Sequence, residues 1–153
     1  MKLLHLARRF LGSLSRREPD PADEAWVAAL LTPGEHALWC RMSVADRRHA
    51  IAVARDVPVG LAPAALLHDV GKTVSGLGTF ARVGATVLGW AGRERWGGRI
   101  GDYLHHDALG SALLADAGSS ALTVTWAREH HLPPARWTVP PETGALLAAA
   151  DDD

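Results

Sequence analysis

The chain has 153 residues, of which 48% are hydrophobic and 22% charged, with a formal net charge of -1. That length fits one domain around a single sizeable core and excludes a multidomain machine, while the balance excludes a disordered or strongly basic nucleic-acid-binding chain. A lone cysteine, Cys40, excludes an internal disulfide and any two-cysteine metal motif, so a reducing, cytoplasmic setting is expected and any metal must rest on histidine and carboxylate.

Residues 1–17 carry Lys2, Arg8, Arg9, Arg16 and Arg17 and no acid, a local charge of +5 that leaves residues 18–153 at -6. Leu3, Leu4, Phe10, Leu11 and Leu14 fall on one side of a helix with the arginines largely opposite. Such a basic amphipathic helix can dock on the domain or touch an anionic membrane surface. Arg8-Arg9 interrupts any signal-peptide core, and no run approaches the ~18 apolar residues of a membrane span. Glu18-Pro19-Asp20-Pro21 then breaks the helix and reads as a linker.

From Ala22 onward the apolar spacing is helical, and no alternating β-branched run bounded by hairpin turns occurs. The expectation is an all-α, compact single-domain helical bundle over residues 22–153. Its helices fall at 22–31, 34–41, 43–56, 62–70, 79–91, 97–116, 119–131 and 141–150. Ser43 with Asp46 makes a capping-box-like start, Pro63 suits a first turn, Ser119 or Ser120 can cap the helix through His130, and Gly71 and Gly118 suit C-terminal caps. The glycine-rich stretch between Gly71 and Gly101 could form a lid.

Most of the eight histidines lie near the C-terminal half of a predicted apolar helix. His49 shares a face with Ala45, Ala52 and Val53, His106 with Leu109, Gly110 and Leu113, and His130 with Trp126 and Ala127. His131 shares one with Val124 and Ala127, so both paired histidines stay candidates. One inward histidine is ordinarily a hydrogen-bonded core residue. Three or more converging inward are costly without partners, and a shared divalent cation satisfies their lone pairs together. His68-Asp69 ends an apolar helix just before Gly71-Lys72, where Asp69 can bridge two cations.

Taken in order, Arg48-His49-Ala50, His68-Asp69-Val70-Gly71-Lys72, His106-Asp107-Ala108-Leu109-Gly110, Glu129-His130-His131 and Ala149-Ala150-Asp151 resemble the HD superfamily of metal-dependent phosphohydrolases, in its two-metal branch, over residues 43–151. The resemblance implies metal ligation by His49, His68, Asp69, His106, His130 or His131, and Asp151. Two divalent transition-metal ions, Mn or Fe, would then share Asp69 and a bridging hydroxide. Asp151-Asp152-Asp153 can alternatively be a solvated acidic tail. Asp69 and Lys72 are the expected catalytic residues. Lys72, with Arg82, Arg99 and Arg128, is a candidate phosphate contact, since a guanidinium fork matches phosphate geometry.

The implied substrate is a small phosphoester or nucleotide. Leu132-Pro133-Pro134-Ala135 stands where the cyclic-di-GMP phosphodiesterase branch carries its Gly-Tyr-Pro segment, so that substrate is not expected. Two other readings keep the same helical shell: a non-catalytic metal- or nucleotide-binding regulatory module, and a di-iron oxygenase resembling inositol oxygenase. Nucleic acid is not an expected partner, because the body of the domain is acidic.

Overall fold

Every regular element in the computed structural model, which describes residues 18–75 and 106–152, is helical. In chain order these are α1 (Pro21–Leu30), α2 (Pro33–Trp39), α3 (Val44–Arg55), a 3-10 turn (Val59–Leu61), α4 (Ala62–Leu67), α5 (Lys72–Ser75), α6 (His106–Asp116), α7 (Ala121–Glu129), a second 3-10 turn (Pro134–Arg136) and α8 (Pro141–Asp152). The all-α expectation therefore holds for the described residues. The predicted basic helix at 1–17, the predicted helix at 79–91, the beginning of the one at 97–116, and Arg82 and Arg99 lie outside them. Among the described residues no helix is long and apolar enough to cross a membrane.

Short polar side chains set the helix starts by accepting orphan backbone N–H groups. Ser43 accepts from the Asp46 N–H at 3.1 Å, and Ser120 from Thr123 at 3.2 Å. Thr32 and Glu35 form a reciprocal capping box that opens α2 at Pro33, one residue before its expected start. Asp20 caps α1, with Pro21 in its first turn. Glu18-Pro19-Asp20-Pro21 is thus a docked helix start and not a linker, and Glu18 also pairs with Arg47 of α3 at 2.8 Å. The end of α6 follows from Gly118, whose φ of 75° lets the Ser119 and Gly118 N–H groups close back on the carbonyls of Leu114 and Ala115. Ser120→Ala should cost about 1 kcal/mol, read as a lowered denaturant midpoint at unchanged slope.

The centre of the bundle is α4, whose Ala62, Ala64, Ala65, Leu66 and Leu67 are all buried. A helix apolar on every side must be enclosed, and α1, α2, α3 and α7 all pack against it. Trp39, Val70, Leu114, Trp126 and Leu147 complete a wholly buried core around it. The expected helix over 62–70 ends at Leu67. His68, Asp69 and Val70 instead form tight turns, with the Val70 N–H on the Leu67 carbonyl and the Lys72 N–H on that of Asp69. The central helix therefore delivers His-Asp from a turn at its C-terminal end into the interior.

Gly71 is not a left-handed cap, since Gly118 alone among the described residues has positive φ. A Cβ on Gly71 would lie 1.8 Å from the His106 carbonyl oxygen and 2.7 Å from the Gly110 nitrogen. Its lack of a side chain is what lets the turn lie against α6.

Candidate metal centre

Five segments bring seven candidate ligands to one place. His49 comes from the middle of α3, His68 and Asp69 from the turn after α4, His106 from the first residue of α6, His130 and His131 from the end of α7, and Asp151 from the last turn of α8. The donor atoms form two groups, Asp69 with His106, His130 and His131, and His49 with His68 and Asp151. Within each group the donors all lie within 4.8 Å of one another, so each can hold a metal ion. Both paired histidines join the cluster, and the end of the chain proves helical through Asp152, with Asp151 half-buried in the site and not part of a solvated tail.

Two imidazoles are oriented by carbonyls that helix ends leave unsatisfied. Because a carbonyl only accepts, Nδ1 of His68 must donate to Ala65 O at 2.7 Å, and Nδ1 of His130 to Ala127 O at 3.1 Å. In the neutral ring this places the proton on Nδ1 and leaves Nε2 as the lone-pair nitrogen facing the cluster, the arrangement that orients histidine toward a cation. These side chains are 2% and 1% exposed, yet neither Nε2 nor Asp69 Oδ1 has a hydrogen bond. Buried polar atoms are rarely left so. Such atoms, Asp69 Oδ1 and His130 Nε2 in one donor group and His68 Nε2 in the other, fit a cation, and so does the imidazole–carboxylate chemistry of the donor set, which suits transition metals.

The distances show how Asp69 joins the groups. Its Oδ1 lies 3.3 Å from His106 Nε2 and 3.6 Å from His130 Nε2, while Oδ2 lies 3.5 Å from His68 Nε2 and is ion-paired with Lys72. Asp151 Oδ1 is 2.8 Å from His49 Nε2 and 3.7 Å from His68 Nε2, and His131 Nε2 lies 3.2 Å from His106 Nε2.

Burial opposes ionisation of Asp69, but the Lys72 ammonium and the facing imidazoles of His68, His106 and His130 outweigh it and hold the carboxyl well below the usual range. For His131, on the exposed rim of its group, desolvation of the ring and then the adjacent His130 push the imidazole down to about 3. At neutral pH it is a neutral ring with a lone pair to give.

One buried carboxylate beside the cluster was not expected from the sequence. Glu129 is buried, and its oxygens accept the Thr138 N–H and hydroxyl, each at 2.6 Å, and the Val139 N–H at 3.3 Å. Trp137 adds an indole N–H to Leu132 O at 3.0 Å and stands edge-on to Trp126. Together they tie down the segment that follows His130 and His131. Burial alone would raise the Glu129 carboxyl, yet the Thr138 and Val139 hydrogen bonds set it below its ordinary 4.5. A depressed carboxyl stabilises the fold above its unfolded value and loses that contribution as pH falls through the folded one. Glu129→Ala should cost about 3 kcal/mol at pH 7 by stranding these donors, and the difference from the parent should shrink below pH 4.5 in denaturation series at the two pH values.

Lys72 stands at the edge of the cluster, its side chain 16% exposed. Arg128 is exposed at the end of α7, and its described electrostatic partner is Glu129, outside the ligand groups. His36 lies on α2 beside Cys40 and does not join either group. No protein-family model, curated protein or solved structure matches the chain, so the functional reading is carried by the site itself.

Proposed function

We propose that the protein is a metal-dependent phosphohydrolase of the HD type that acts on a small phosphoester or nucleotide in the cytoplasm, where the exposed thiol of Cys40 stays reduced. The observation that carries this reading is the pair of adjoining His/Asp groups with Asp69 turned toward both. Asp69, His106, His130 and His131 would hold one divalent ion and His49, His68 and Asp151 the other, with Mn or Fe the proposed metals. Ions bound there supply Lewis-acid activation of water and neutralise phosphoryl charge.

The chain's own residues do the rest. The backbone carbonyls of Ala65 and Ala127 hold Nδ1 of His68 and of His130, which turns each Nε2 toward the cluster. Asp69 supplies a buried carboxylate whose proton affinity is held well below the usual range. Lys72, flexible and partly exposed, can turn its ammonium to a phosphoryl oxygen. In a screen of p-nitrophenyl phosphate, bis-p-nitrophenyl phosphate and nucleotides, turnover should appear with Mn or Fe and vanish with chelator. Lys72→Met should lower kcat/KM about a hundredfold without loss of bound metal. Oxygen consumption with iron in place of phosphate release would replace this reading with the oxygenase one, and nucleotide binding without turnover under every metal would favour a regulatory module.

A further inference from the structure

The two halves of the cluster are not equivalent, and the difference lies at Lys72; the argument rests on the metal-centre reading above. In the four-donor group, Asp69 Oδ1 and His130 Nε2 are buried and without hydrogen bonds. In the three-donor group, Asp151 Oδ1 is already engaged by His49 at 2.8 Å. The Asp69 oxygen nearest that group, Oδ2, faces His68 and carries the Lys72 ammonium. Lys72 is held there from the backbone, because it opens α5 directly after Gly71, which is pressed against the His106 carbonyl. A divalent ion approaching His49, His68 and Asp151 would meet a positive charge on the carboxylate oxygen it shares with them. At a side chain only 4% exposed, that repulsion is poorly screened.

We propose that Lys72 acts as a built-in competitor for the second cation: the Asp69/His106/His130/His131 group loads first and tightly, the His49/His68/Asp151 group loads weakly while Lys72 sits on Asp69, and a phosphate group that draws the ammonium away tightens the second site. Anion and second ion then promote each other's binding, since coupling between two ligands is reciprocal.

The test is an equilibrium titration of the chelator-treated full chain with Mn, read by the resonance of free Mn, for the parent, Lys72→Met, Lys72→Gln and His49→Ala, each with and without inorganic phosphate. The parent should bind one ion at least about tenfold more tightly than the second. Both Lys72 variants should tighten the second step about tenfold, within the range usual for coupled sites, and leave the first unchanged. Phosphate should tighten the second step in the parent and not in the Lys72 variants, and His49→Ala should remove the weak step only. Equal steps in the parent, a second step indifferent to Lys72, or a phosphate effect that persists in both variants would overturn the inference and leave the metal centre standing. A parent that binds no Mn overturns both.

Discussion

Asp69→Asn should leave the protein folded while removing metal from both groups and cutting phosphoester turnover by at least about a thousandfold. The substitution keeps the shape of a side chain that is 4% exposed, so no cavity opens. What it removes is the anion toward which His106, His130, His68 and Lys72 all turn, at 3.3, 3.6 and 3.5 Å for the three imidazoles. An amide nitrogen facing either direction cannot accept or coordinate there. Lys72 keeps a solvent-accessible side chain, so losing its partner does not bury an unpaired charge. Asp151→Asn is the internal control. It belongs to the His49/His68 group and should lose one ion while the Asp69/His106/His130/His131 group keeps the other. Circular dichroism confirms folding, and a well-folded Asp69→Asn that retained metal and turnover would reject the site.

Gly71→Ala should be among the most damaging single changes outside the ligands, lowering stability by about 3–5 kcal/mol. The added methyl would sit 1.8 Å from the His106 carbonyl oxygen and 2.7 Å from the Gly110 nitrogen, and both obstacles are backbone. No rotamer change relieves that overlap, so α5 and α6 must separate. The contact is nearly reciprocal, since a Cβ on Gly110 would lie 2.9 Å from the Gly71 nitrogen. Because the carbonyl at fault is that of His106 itself, separation also moves a candidate ligand, and bound metal should fall together with stability. Gly60→Ala, where nothing lies within 4 Å, should change stability by less than about 0.5 kcal/mol. Denaturant unfolding of the two variants compares them directly, and a Gly71→Ala protein as stable as the parent would contradict the packing described.

Part of the cluster was legible in the sequence because histidine on an apolar helical face is a conflict that only a partner resolves, and His49, His106 and His130 each pose it; Asp151 came from the resemblance to the HD superfamily. Choosing between His130 and His131 was not possible by the same rule. His130 is the C-cap residue of α7, and beyond a helix end the roughly 100° step per residue no longer separates neighbours. The two rings lie 3.9 Å apart, and both serve the same group.

Glu129 was missed because its residue type reads as surface charge. The available signal was its place three residues after Trp126 on the stripe that packs inward. Gly71 was read as a cap because caps are local, whereas the close approach to Gly110 is a pairwise contact that no local pattern carries. The Glu18-Pro19-Asp20-Pro21 segment misled in the opposite sense: proline stops a helix from its interior but opens one from its first turn, and Asp20 beside it was the capping signal.

The central claim is that the His/Asp cluster is a metal centre built around Asp69. Elemental analysis of untagged protein dialysed against excess Mn or Fe tests it most directly. About two ions per chain in the parent, falling to one in Asp151→Asn and to nearly none in Asp69→Asn, is the predicted result. A parent without metal under either condition, or an Asp69→Asn protein that holds as much as the parent, would contradict it.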